Sequence, residues 1–172
     1  MKIIFNFKDG LPKHIVPLDK LDDIFLIATR TLEGRIKRRV FNKGIASNGL
    51  PIGTYKEYKA YFGRDKFVQE SKFKPLPNRK TMTFNKGWQE LRQLQDRQTS
   101  KVDLNYSGAL QLSIQTFQNR RELVIAITSK DGATKRAAME KLYGDIFTPS
   151  KTDIEAYQKA LNLAYEKAIQ KP

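Results

Sequence analysis

The sequence contains no cysteine and a single histidine, His14. Without thiolates there is no disulfide and no Cys-based zinc site, and one imidazole cannot build a multi-histidine centre. Carboxylates alone would favour only hard cations. The missing cysteines accord with a reducing cytoplasm. Long apolar runs are missing too. None approaches the ~20 residues that cross a bilayer, and Met1 to Lys8 is too short and too alternating for a signal-peptide core, so a soluble, unexported chain is expected. Acidic residues are scarce, 18 against 32 lysines and arginines, which leaves a net charge of +14.

That charge is uneven. Residues 1–85 hold 18 Lys/Arg against 8 Asp/Glu, net +10, and residues 86–172 hold 14 against 10, net +4. Such a balance draws the chain to nucleic acid, to anionic surfaces or to acidic proteins and says nothing of fold. Apolar residues make up 40% and charged residues 29% of the 172 positions, proportions that argue against wholesale disorder. A chain of this length buries enough surface for a real core, and one domain over 1–172 is expected.

Ile3, Phe5 and Phe7 alternate as one face of a short strand, followed by an Asp9-Gly10 turn. From Leu21, the positions Ile24, Phe25, Ala28, Leu32, Ile36 and Val40 recur at helical steps. Asp19, Asp22 and Asp23 sit at the amino end, Arg35 to Lys43 gather at the carboxyl end, and Gly44 supplies the stop. Residues 50–85 read as a long irregular excursion, with three prolines and with aromatics set among basic residues. Asn85 is expected to cap a helix to about Gln98, with Trp88, Leu91 and Leu94 or Gln95 inside.

Leu110, Leu112 and Ile114 then alternate with polar residues, and Leu123–Ile127 follows a polar connection, which predicts a β-hairpin. A helix over 133–142 should end at Gly144. A last helix follows Pro149, with Ser150 and Asp153 in capping-box spacing and Ile154, Tyr157, Leu161, Ala164, Tyr165 and Ala168 inward. The order predicts an α+β fold in which a small antiparallel sheet packs against a long N-terminal helix and a C-terminal helix.

Catalytic signals are thin. Asp22-Asp23 is the nearest approach to a carboxylate cluster and reads as a helix N-terminal charge pair, while any serine triad would have to recruit His14 from a proline-flanked loop. Gly44 to Gly49 is spaced loosely like a phosphate loop, but Leu50-Pro51 stands where Lys and Ser/Thr are required. No enzyme activity and no cofactor are expected. A metal-dependent nuclease is the third-ranked alternative, because its acids would have to gather from scattered positions.

The basic aromatic excursion is the better functional signal. Tyr55, Tyr58, Tyr61, Phe62, Phe67 and Phe73 interleave with Lys56, Lys59 and Arg64, a composition that suits a partner or subunit interface and also suits base stacking with phosphate neutralisation. Arg35, Arg38 and Arg39 are candidate anion contacts, set against the plainer role of a solvated helix end that complements the dipole.

Three stretches together resemble the neck and tail-completion proteins of tailed bacteriophages, the head–tail joining group that includes the minor tail protein Z-like proteins. Val40-Phe41-Asn42-Lys43-Gly44, leading through Asn48-Gly49 and Ile52-Gly53 to Tyr55, looks like the family's turn from first helix to extended loop. Val102 to Ile114 is similar to its signature of Leu, Thr/Ser-Gly, any residue, Leu, two residues, Ser-Ile. Glu140 to Gly144 with Phe147 is similar to its helix ending in aromatic-Gly. Residues 62–84 carry no motif of the family. The resemblance implies a structural virion protein, made and assembled in the host cytoplasm, that forms a ring joining the capsid portal to the tail. Its expected partners are copies of itself and portal and tail proteins, with transient contact to packaged DNA and no membrane. In this setting Ser107, Gly108, Leu110, Leu112 and Ile114 are fold-making residues, the last three expected under the first helix. The alternative is a sequence-non-specific nucleic-acid-binding protein.

Overall fold

In the computed structural model, which describes residues 18–63, 81–104, 107–119 and 122–170, the apolar stripe that begins near Leu21 winds into helix α1, Leu18–Lys37. Ile24, Ala28, Leu32 and Ile36 are its buried face, joined by Thr29, whose hydroxyl donates to the Phe25 carbonyl at 2.8 Å. Beyond Lys37 the helix widens into a π-helical turn, Arg38–Lys43, and Gly44 closes it in the left-handed conformation (φ 65°). The consecutive residues Arg39, Val40 and Phe41 are all buried there while Arg38, Asn42 and Lys43 are exposed, so the helix end is enclosed on one side and solvated on the other. The Phe41 and Phe147 rings meet at 6.3 Å between centroids.

The chain forms two compact units, one of residues up to Leu50 and from Asp103 onward, the other Pro51–Val102. The expected α+β class is observed, with two separate two-stranded antiparallel sheets among the described residues. In the first unit a five-residue helix α3, Ala109–Ser113, leads into β3, Ile114–Asn119, which pairs with β4, Glu122–Ile127, from Ile114 opposite Ile127 to Asn119 opposite Glu122. Helix α4, Lys130–Tyr143, and helix α5, Lys151–Gln170, complete it. Helix α1 packs along α5 and also touches β3 and β4, so it holds the unit together.

Local chemistry explains the ends of these helices. Ser129 caps α4 by accepting from the Gly132 N–H at 3.0 Å, and Ser150 and Asp153 form the expected reciprocal cap: Asp153 N–H donates to Ser150 Oγ at 3.2 Å and Ser150 N–H to Asp153 Oδ2 at 3.0 Å. At Gly132 a Cβ would lie 2.8 Å from the Ile127 side chain and collide with Ser113, so the sheet and α4 approach as closely as they do only because that residue is glycine.

In the second unit residues 52–59 are irregular, as expected, but 60–63 and 81–84 are strands. Strand β1, Ala60–Gly63, pairs antiparallel with β2, Thr81–Phe84, and helix α2, Gly87–Leu94, packs on both. Its core is Phe84, Leu91, Val102, Met82, Ile52 and Ala60. The Phe62 ring meets Phe84 at 5.3 Å and Trp88 at 4.6 Å, both edge-on. A hydrogen bond from Val102 N–H to Gly53 carbonyl, 2.8 Å, ties the unit's two ends.

Several expectations are corrected. Leu110–Ser113 is helical, not strand, because Gly108 at φ 75° starts a turn that only then extends; Leu112 therefore points outward at 71% exposure while Leu110 and Ile114 are buried. Helix α2 begins at Gly87, and its N-cap is Lys86 rather than Asn85, with the Glu90 carboxylate reaching back to the Lys86 N–H at 3.0 Å. On α5, Asp153 is buried and Ile154 is exposed. The expected strand at Ile3–Phe7, the Asp9-Gly10 turn and His14 lie outside the described residues.

Candidate functional site

Of the aromatic and basic residues singled out between 50 and 85, Phe67, Phe73 and Arg64 lie outside the described residues. The others divide by the work they do. Phe62 belongs to the aromatic cluster with Phe84 and Trp88. Tyr55 is half-buried beneath the Arg92 guanidinium, 5.0 Å from its ring centroid, and buried Arg92 also donates to the Gln98 carbonyl at 2.9 Å. These rings stabilise the second unit.

Lys56, Tyr58, Lys59 and Tyr61 are exposed or nearly so. Tyr61 is 65% exposed, and Lys59 Nζ stands 6.0 Å from its ring centroid. Tyr58 lies against Gly87, where φ is +55° and a Cβ would come within 2.9 Å of the Tyr58 carbonyl oxygen. Partial burial pushes the Tyr58 phenol above its ordinary value. Glu57 accepts from Lys86 Nζ at 2.9 Å and raises the lysine's pKa through that hydrogen bond and its charge. This pair offsets part of the local positive charge and has no signal in the sequence, since its members are 29 positions apart.

In the first unit a cleft of about 230 Å³ opens between the π-helical turn and the start of α5. Arg35, Arg38 and Lys43 line one side, and Ser150 and Thr152, whose hydroxyls are 3.0 Å apart, line the other. Arg35 is half-buried, while Arg38 and Lys43 are exposed. Among the described residues none of these three cations has an ion-pair or hydrogen-bond partner.

Arg39 behaves differently from its neighbours. Expected from sequence as an anion contact, it is instead 6% exposed and its donors are engaged inside the fold: Nε to Asp153 Oδ2 at 2.7 Å, Nη1 to the Ile45 and Ile146 carbonyls at 3.0 and 3.1 Å, and Nη2 to the Thr148 carbonyl at 2.8 Å. The enclosed π-helical turn causes this, because it rotates Arg39 inward and leaves Arg38 outward. The cleft therefore has a neutral ion pair in its lining and three uncompensated cations around it. Sequence identified Arg35 and Arg38; it missed Lys43, Ser150 and Thr152, for which only the basic run and the cap residues were signals.

No protein-family model, curated protein or solved structure matches the chain.

Two further features bear on what the molecule can do. Among the described residues β3 and β4 pair only with each other, so neither outer edge of this sheet carries a further strand, although the Thr116 N–H on β3 donates to Glu33 at 2.7 Å; Phe117 on β3 is 42% exposed. No group of three or more metal-ligating side chains occurs among the described residues, and no described helix is long and apolar enough to cross a membrane.

Proposed function

We propose that this chain is a structural component of the neck of a tailed-bacteriophage virion, assembling as a ring that joins the capsid portal to the tail. The observation that supports it is the β3–β4 hairpin, which among the described residues has no third strand on either edge, only the Thr116 N–H being taken up by Glu33, and which stands beside the exposed apolar side chains Phe117 and Leu112. An unpaired strand edge is a template for another chain, and a head-to-tail contact through two different edges closes into a ring when the rotation permits. The signature that resembles the neck proteins runs directly into this hairpin. Gly108 supplies its turn at φ 75°, Leu110 and Ile114 enter the core, and Ser113 donates to the Leu110 carbonyl at 2.7 Å.

Native mass spectrometry and electron microscopy of the protein, alone and with tail-less capsids bearing a portal, test this directly. A ring, free or formed on the portal, is expected, and F117D should abolish it. A chain that stays monomeric with portal present and is missing from purified particles would sink the proposal.

Tyr58 and Tyr61, exposed beside Lys56 and Lys59, favour a second reading in which this surface stacks on and neutralises single-stranded nucleic acid. It predicts binding that falls steeply with salt and weakens in Y58A and Y61A. Tyr55 is not a useful probe, because its ring is covered by Arg92.

A further inference from the structure

We propose that the cleft between the π-helical turn and the start of α5 is a binding site for a compact phosphate-class oxyanion, held by Arg35, Arg38 and Lys43 with the Ser150 and Thr152 hydroxyls opposite. Three observations support this. First, the cations line one cleft with no free acid to balance them among the described residues: Asp153, the carboxylate in the lining, already accepts from Arg39 and from the Ser150 N–H. Like charges crowded together repel, and an anion removes that cost on binding.

Second, the size selects the ligand. At about 230 Å³ the cleft falls below the ~300–1,000 Å³ of pockets that enclose a drug-sized molecule, so it takes a small polyanion rather than a whole nucleotide cofactor. A single carboxylate would leave two of the three positive charges unpaired. A phosphate or pyrophosphate group carries more charge and more acceptor oxygens, and planar guanidinium groups match such oxygens in pairs.

Third, the cations are mounted on a rigid base. Arg38 and Lys43 lie on the π-helical turn that the four hydrogen bonds of Arg39 fasten to residues 45, 146, 148 and 153, so on binding only their side chains and not the backbone that carries them need ordering. The amino end of α5 does not itself provide the site, since Ser150 and Asp153 cap each other there. The proposal is independent of the neck reading, because a titration of the chain with a small anion does not depend on ring formation.

The test is calorimetric titration of the full chain with sodium pyrophosphate and, separately, with short duplex DNA, comparing wild type, R38Q/K43Q, R35Q and the exposed-lysine control K159Q, which lies about two turns beyond Thr152 on α5 and outside the cleft lining. Circular dichroism checks that each is folded. Pyrophosphate affinity should fall about tenfold in R38Q/K43Q, fall less in R35Q, and hold in K159Q, since two exposed charge-assisted contacts together contribute about the free energy of a tenfold change. If DNA competes with pyrophosphate and loses affinity in the same variants, the natural source of the phosphate is a nucleic-acid backbone. If DNA binding ignores the variants, the source is a free phosphate compound. Absence of both pyrophosphate and DNA binding overturns the proposal, as does an equal loss in K159Q and R38Q/K43Q, which would reduce the effect to overall charge.

Discussion

Replacing Arg39 by methionine keeps most of the side-chain length and removes the charge. In the folded protein this leaves the Asp153 carboxylate, 1% exposed, without its cation, and it strips a donor from the carbonyls of Ile45, Ile146 and Thr148. Removing one partner of a buried ion pair typically costs about 3–5 kcal/mol, because the remaining charge stays desolvated. Against a total stability of about 5–15 kcal/mol this is a large share, and for a chain of this size it lowers the melting temperature by about 10 °C. The double variant R39M/D153N removes the stranded charge, while the new side-chain amide still offers an oxygen to the Ser150 N–H. Its loss should be no greater than that of R39M alone and well below the sum of the single losses. Urea denaturation followed by circular dichroism gives the free energies, and amide exchange at Ile154 locates the change. A loss below about 1 kcal/mol for R39M, or single losses that add within about 0.5 kcal/mol, would refute the coupling inferred from the geometry.

Glu33 gives a pH-dependent outcome. Burial alone would raise its pKa, but hydrogen bonds from Lys37 at 2.6 Å and from the Thr116 N–H at 2.7 Å, with the Lys37 charge, together hold it below the ordinary 4.5. A lowered folded pKa stabilises above the unfolded value and is lost as pH falls through the folded one. E33Q should therefore be less stable than wild type by about 1–2 kcal/mol at neutral pH, with the gap closing in strong acid. Tyr157 has the opposite sign: burial raises its phenol from 10.0 to about 12, partly offset by Thr29, so the associated stability is intact below 10 and disappears toward 12. Ultraviolet titration should find a late-ionising tyrosine that Y157F removes, together with a shallower alkaline loss of stability. G132A should cost about 1–3 kcal/mol in a urea melt, because the new methyl group meets Ser113 and Ile127, while alanine at the open Gly34 should leave the midpoint unchanged or raise it.

Elements governed by local signals were legible in the sequence. Helix α1 follows its Ile24 to Val40 stripe, Gly44 and Gly144 end helices at positive φ, and Ser150 and Asp153 start α5 as their spacing indicates. Alternation misled at Leu110–Ser113, where a five-residue helix can bury Leu110 and expose Leu112 with the same pattern that a strand would show on paper. The β1–β2 ladder was missed because each strand is four residues long and their pairing is non-local. In the basic aromatic segment, composition gave no means of separating Tyr55 and Phe62, which pack inward, from Tyr58 and Tyr61, which face solvent.

What the sequence determined by itself was the range of available chemistry: no thiol, one imidazole, an excess of cations and helices with defined ends. Those follow from composition and from contacts within a few residues along the chain. Only the tertiary structure decided which cations are available to a ligand. Arg38 and Arg39 are adjacent and chemically alike, yet Arg39 is paired with Asp153, 114 positions away, while Arg38 faces an open cleft. The physical reason is that a charge must be paired to be buried, and its partner is set by the packing of α1 beside α5, a contact between distant parts of the chain.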